Sequence, residues 1–238
     1  MSKLIIAEKP SVAKSIASAL GASSRADGFY EGNGLLVSWC VGHLVSPMDA
    51  AGYDERFKKW RYDDLPILPE PFRYVLAPGK EDAFENLRAL MNRPDVDTIV
   101  NACDAGREGE LIFRYIYSYL ECRTPFVRLW ISSLTDRAIR EGLQHLRPGN
   151  EYDNLYLSAK ARSEADWIVG INASQALAVA AGRGVWSLGR VQTPTLAIIC
   201  SRYLENKAFK PATYFRLKLS TAKEGTEFTV LSTEKFDG

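Results

Sequence analysis

Glu8, Asp104 and Glu108 are the acids whose places along the chain point to chemistry. Glu8 closes an apolar, β-leaning run from Lys3 to Ala7, and Asp104 closes another from Asp97 to Ala102. In open α/β sheets ligands sit beyond the carboxyl ends of strands, and both acids fall there. Glu108 follows in the first turn of the next helix, with Gly106 and Gly109 letting the backbone bend in between. If the strands ending at Glu8 and Asp104 are neighbours, the three carboxylates can meet. Oxygen ligands around a small open site suit Mg²⁺, which takes one or two carboxylates plus a phosphate and keeps several waters. A plainer account is that acids in a first helical turn complement the helix dipole, and spacing alone does not choose between the two. The glycines form no nucleotide loop: Gly106-Arg107-Glu108-Gly109-Glu110 lacks Gly-Lys-Ser/Thr, and carboxylates there repel phosphate unless a cation intervenes.

Lys9 can clamp an anion in the same cleft as Glu8 only where the strand ends and the chain bends, since strand neighbours face opposite ways. Pro10 favours such a bend, although a lysine after a strand is more often just solvated. A basic group follows later: Arg162, Arg183, Arg190, Gln192 and Arg202. Residues 158–210 carry seven Lys/Arg against three Asp/Glu. In Gly189-Arg190-Val191-Gln192-Thr193-Pro194, Thr193 is the expected N-cap and Pro194 the first helical residue, which would aim backbone N–H groups and the Arg190 fork at one phosphodiester. The plainer account is a capped helix with a surface arginine. Arg162 and Asp166, four apart, fit an intrahelical ion pair equally well. Trp167 and Trp186 are candidates to stack on bases, though Trp167, in an apolar helix, also reads as core. His43, in Val41-Gly42-His43-Leu44, is either part of the site or a loop histidine.

These side chains need elements to position them. The chain has 238 residues, 46% hydrophobic and 25% charged, enough for one large domain or two smaller ones. Thirty Lys+Arg against twenty-nine Asp+Glu leave a net charge of +1, so an anionic partner must be held by a local patch. Collagen, a disordered tail and a disulfide scaffold are excluded. Cys40, Cys103, Cys122 and Cys200 lie far apart, with His43 and His145 the only histidines, so a structural zinc site is not expected. No apolar stretch reaches the length of a membrane span, and the default location is the cytoplasm. Strand signals at 3–7, 35–41, 74–77, 97–102 and 126–131 are separated by helical ones at 11–20, 81–91, 111–120 and 135–146, with Thr135 as N-cap. That alternation predicts an α/β domain with a largely parallel sheet over 1–147. Residues 148–208 read as helical, with helices from Tyr156 to about Ala181 and from about Thr193 to Asn206. Residues 209–238 supply two strands without a full sheet, and the chain reads as cut short.

Seven stretches, in order, resemble the N-terminal part of the type IA DNA topoisomerases, most closely their bacterial topoisomerase III branch. They are Leu-Ile-Ile-Ala-Glu-Lys-Pro-Ser at 4–11, Val-Gly-His-Leu-Val at 41–45 and Leu-Pro-Ile-Leu-Pro at 65–69, then Asp-Ala-Gly-Arg-Glu-Gly-Glu at 104–110 and Ala-Arg-Ser-Glu-Ala-Asp-Trp at 161–167. Gly-Ile-Asn-Ala-Ser at 170–174 and Leu-Gly-Arg-Val-Gln-Thr-Pro-Thr-Leu at 188–196 complete the series. The resemblance implies a toprim (Rossmann-like) domain at 1–147, part of a helical DNA-groove domain at 148–208, and the start of a β arch at 209–238. It implies cleavage of one DNA strand through a 5′-phosphotyrosine, passage of another strand and resealing, with Mg²⁺ and without ATP. Glu8 would protonate the departing 3′ oxygen, and Lys9 would steady the phosphate. Asp104 and Glu108, with Glu8, would be the metal acids. Arg162, Asp166, Arg190 and Gln192 would contact single-stranded or underwound DNA in a cytoplasmic, nucleoid-associated enzyme that is not on a membrane.

Two departures stand out. Where many relatives carry Asp-x-Asp-x-Glu, the middle position here is Gly106, so a two-ion site is in question. Glu110, two residues past Glu108, faces another way on a helix and is not expected to replace the missing acid. Gln175 stands where relatives often carry arginine. None of the eleven tyrosines lies in a Tyr-Pro-Arg-Thr-like setting, so the nucleophile is expected in the rest of the parent polypeptide beyond Gly238, and this chain alone is expected to be inactive. Two rival readings are a toprim nuclease or primase-like enzyme using water and a non-catalytic module that binds single-stranded DNA.

Overall fold

Leu4, Ile5, Ile6 and Ala7 are all buried, because the strand they form, β1 (Ser2–Ala7), lies in the middle of a sheet covered on both faces. The computed structural model describes residues 1–237. It comprises two compact units, Met1–Arg190 and Val191–Gly238. In the first unit β1 is followed by α1 (Pro10–Leu20), β2 (Ser24–Ala26), β3 (Phe29–Gly32), β4 (Leu35–Trp39), β5 (Val45–Pro47), α2 (Ala50–Tyr53) and β6 (Tyr74–Leu76). Then come α3 (Glu81–Met91), β7 (Val96–Ala102), α4 (Arg107–Tyr119), β8 (Phe126–Arg128), α5 (Asp136–Gln144), β9 (Arg147–Pro148) and the long α6 (Asp153–Ala181).

The main sheet has the order β2-β3-β4-β1-β7-β8-β9. Its centre, β4-β1-β7-β8, is parallel, and antiparallel strands extend it at both edges. Alternating side chains divide the interior in two. Leu4, Ile6, Leu36 and Ile99 join Leu87, Leu111 and Ile116 from α3 and α4 in one layer. Ile5, Val37 and Val100 join Ile16 and Ile139 from α1 and α5 in the other. The predicted α/β fold is therefore present.

Some elements differ from the expectation. The run at 74–77 does not enter the main sheet but pairs antiparallel with β5. The β3–β4 hairpin turns at Asn33-Gly34, with φ of +53° and +72°, as a type I′ turn requires. The strand expected at 126–131 ends at Arg128. Thr135 does cap α5, its hydroxyl accepting from the Ala138 N–H at 3.3 Å.

The second unit holds α7 (Gln192–Ala208), a hairpin of β11 (Lys218–Lys223) with β12 (Thr226–Leu231), and a short pair, β10 (Tyr214–Phe215) with β13 (Phe236–Asp237). Helix α7 starts earlier than expected, so Thr193 is not its N-cap and Pro194 is its third residue. Proline is tolerated there because the first N–H groups of a helix have no intrahelical acceptor.

Candidate nucleic-acid and metal site

β1 and β7 are neighbours, with Ala7 opposite Ala102. Glu8 and Cys103 therefore leave adjacent strands at the same edge, about 4.8 Å apart in strand spacing. Glu8 is nearly buried, 12% exposed, and its Oε1 lies 3.5 Å from the Lys9 ammonium, so Lys9 turns toward Glu8 where β1 ends. Behind them the Cys103 thiol is pushed up by Cys40 at the end of β4, by burial and by the Glu8 charge.

The turn carrying Asp104 is held from beneath by a fully buried arginine. Arg128 donates from Nη1 to the carbonyls of Asn101 (2.9 Å), Cys103 (2.7 Å) and Leu129 (2.8 Å), and from Nη2 to that of Asp104 (2.6 Å). Its Nε lies 3.1 Å from Glu110 Oε2, and neither side chain reaches solvent. Glu110 also accepts from Asn101 and Arg114. Burial pulls the Arg128 guanidinium below its ordinary range, and the Glu110 charge opposes that shift. Glu110 is thus a structural counterion rather than a spare metal ligand. From above, Gly109 packs on the same backbone: a Cβ there would come 2.3 Å from the Asp104 carbonyl oxygen.

Glu108 stands in the first turn of α4, two-thirds exposed, with His43 Nε2 at 2.5 Å from its Oε1. It lines a cleft of about 280 Å³ together with His43, Arg107, Arg162, Ser163 and Asp166. Several contacts set the phase of α6 against this cleft. Tyr74 donates its hydroxyl to Glu164 at 2.7 Å; burial and that bond drive the phenol well above its usual range. The Asn172 amide accepts from the N–H of Ile67 (2.6 Å) and donates to its carbonyl (2.9 Å). Trp167, half-buried, packs edge-on against Tyr53 and Phe72, so its ring is engaged in a small aromatic cluster. Asp166 takes Arg162 at 3.6 Å on its own helix and Arg190 at 2.6 Å from the following loop. The intrahelical pair is real, but it belongs to a larger group in which one carboxylate fixes two guanidinium groups. The Arg190 fork is therefore spoken for in part by Asp166, a departure from the expected capping geometry.

The structure brings Glu108 together with Arg162 and Asp166, and Glu8 together with Lys9. It does not gather all three acids: among the described residues no three His, Cys, Asp or Glu side chains stand close enough to hold an ion. In this arrangement Glu108 faces His43 and Glu8 faces Lys9. Asp104 and Glu108 offer hard carboxylate oxygens of the kind Mg²⁺ takes when phosphate and water complete its shell, so the residues fit that ion in kind. Sequence reasoning missed Arg128, whose neighbours are set by strand order alone, and left His43 undecided.

A family model described as "Toprim domain" matches residues 3–134, and one described as "DNA topoisomerase" matches 150–237. DNA topoisomerase 3 of Bacillus subtilis is 48% identical over 219 residues, 92% of this chain and 30% of that protein. DNA topoisomerase 3 of Bacillus cereus (strain ATCC 14579) is 46% identical over 94% of this chain and 31% of its own length. Full-length topoisomerase I from Thermotoga maritima superposes with a TM-score of 0.61 at 25% identity, over 99% of this chain and 36% of that one. The chain thus spans about a third of the length of the relatives it matches.

Proposed function

The chain belongs to the toprim family and is homologous over nearly its whole length to bacterial topoisomerase III, and from that premise we propose that it forms the strand-receiving part of a type IA DNA topoisomerase. The parent polypeptide breaks one DNA strand, passes another and reseals the break. The observation that carries this reading is the shared cleft, in which the toprim acid Glu108 meets Arg162 and Asp166 from α6.

A tyrosine from elsewhere in the parent polypeptide attacks the scissile phosphorus and gives up its phenolic proton to solvent, the bond to the 3′ oxygen breaks, and Glu8 gives that oxygen its proton. Resealing reverses the transfer. Glu8, 12% exposed beside Lys9, is the proton donor in this reading. Lys9 offsets the charge that builds on the phosphate oxygens. Asp104 and Glu108 would hold Mg²⁺, which supplies further charge neutralisation at the phosphate. Arg162 and Arg190, fixed through Asp166, grip flanking phosphodiesters of single-stranded or underwound DNA, and Gln192 adds a polar contact to the strand. We assign 1–147 to the toprim domain, 148–208 to the helical groove and 209–238 to the start of the arch. The polypeptide acts in the cytoplasm, on the nucleoid.

The test is to titrate the chain onto a labelled single-stranded oligonucleotide, with and without Mg²⁺, and then to look for cut DNA. Binding that Mg²⁺ strengthens, that Asp104→Asn/Glu108→Gln makes indifferent to Mg²⁺, and that leaves the strand intact is the expected result. Metal-dependent nicking by this chain would replace the reading with a water-using toprim nuclease. Binding indifferent to Mg²⁺ and to Glu8→Ala would leave only a passive DNA-binding module.

A further inference from the structure

We propose that Trp186 is a stacking platform for one unpaired base of the DNA strand, an inference that rests on the function proposed above and names a base contact within it. The loop that carries Trp186 is anchored at both ends to α6. It leaves the helix at Gly182, whose φ of +66° forms a left-handed cap with its N–H donating to the Val179 carbonyl at 3.1 Å. It returns through Leu188, whose N–H donates to Ser174 Oγ at 2.9 Å while that hydroxyl donates to the Leu188 carbonyl at 3.2 Å. Arg190 then closes on Asp166.

Within this anchored loop the indole is held in place. Its N–H donates to the Arg183 carbonyl at 2.9 Å, which satisfies its one polar atom and orients the ring. Half of the residue remains in solvent, and its neighbour Val185 is 78% exposed. Among the described residues no aromatic ring or cation packs on its face, unlike Trp167, which meets two rings, and Trp130, which stacks on Tyr152. A large apolar ring oriented by a hydrogen bond and left uncovered is what stacking on a base requires, and every base offers a π-face.

Charge selects nucleic acid as the occupant. Arg183 has no carboxylate within 4.0 Å among the described residues, while Arg162 and Arg190 share the single carboxylate of Asp166. Arg190 lies four positions after Trp186, at most about 14 Å away when extended. A strand whose phosphates lie on Arg190 therefore passes within a few nucleotides of the indole. A cationic groove interrupted by an aromatic platform is the usual means of holding a single strand without reading its sequence.

The experiment compares two probes, a short oligothymidylate and an abasic backbone of the same length, binding to the wild-type chain, Trp186→Ala and Trp186→Phe, with circular dichroism confirming that each is folded. The expected result is that Trp186→Ala weakens oligothymidylate binding about 5- to 150-fold, leaves abasic binding unchanged, and is largely rescued by Trp186→Phe. An equal loss on both probes would overturn the inference, because the ring would then only support the loop. Full binding by Trp186→Ala would also overturn it, and the indole would belong to a protein contact. If the wild-type chain bound neither probe, the proposed function itself would fall along with the stacking role.

Discussion

Two glycines three residues apart, one capping α4 and one in its first turn, show opposite constraints beside Asp104. Gly106 has φ −177° and ψ 178°, extended backbone open to any residue, and nothing lies within 4 Å of a Cβ placed there. Gly106→Asp should fold normally and supply the middle acid of an Asp-x-Asp-x-Glu pattern, tightening Mn²⁺ binding by about tenfold in calorimetry, since ligand charge count tunes affinity. Unchanged affinity would mean that this position does not face the ion. At Gly109 a Cβ would meet Asp104 backbone atoms at 2.3 and 2.7 Å, which cannot rotate away. Gly109→Ala should cost about 1–3 kcal/mol in urea unfolding. A pH effect is expected elsewhere. Arg93 beside Asp95 holds that carboxyl at about 2, so its contribution is present above the unfolded value of about 3.9 and fades as pH falls toward 2. The stability difference between wild type and Asp95→Asn should shrink over that window, and should also shrink with salt at neutral pH because the pair is exposed; a constant difference would contradict the assignment.

At the scale of elements, the edge where β1 and β7 end is tied together by Arg128, which reaches four carbonyls and the Glu110 carboxylate out of reach of bulk solvent. Removing one partner of a buried ion pair leaves the other charge unpaired. Arg128→Met should therefore lower stability by about 3–5 kcal/mol and should weaken metal binding through Asp104, whose backbone it holds. Arg128→Lys should recover only part of this, since an ammonium lacks the planar fork that reaches several acceptors at once. Urea unfolding and metal titration on both variants check it; a mild loss in Arg128→Met would show that the turn stands without the buried cation. Half of this arrangement could be read from the chain. Helical periodicity turns Glu110 away from Glu108, but its partner Arg128 comes from another strand, and no local pattern pairs them.

For the chain as a whole, homology to about a third of a longer enzyme, together with the absence of a Tyr-Pro-Arg-Thr-like tyrosine, sets the last expectation. Incubated with negatively supercoiled plasmid and Mg²⁺, this chain should leave the topoisomer ladder unchanged and form no protein–DNA adduct on denaturing gels. Relaxation by the chain alone would refute the assignment of the nucleophile to the rest of the parent polypeptide. Fold class and most elements of the first unit were legible in local patterns: a doubly buried strand reads as an unbroken apolar run, and Thr135 reads as a cap. The seven ordered motifs made the family legible as well. What the chain could not announce depends on side-chain direction and on partners distant in sequence. His43 turns to Glu108 and Lys9 to Glu8. Trp167 joins an aromatic cluster with Tyr53 and Phe72, while Trp186 stays half exposed. Residue type and spacing determine which groups are available near a strand end or a helix turn, because those are local properties of the backbone. Which of those groups meet was decided only by packing, because strand order and the seating of α6 bring together residues that spacing along the chain leaves unrelated.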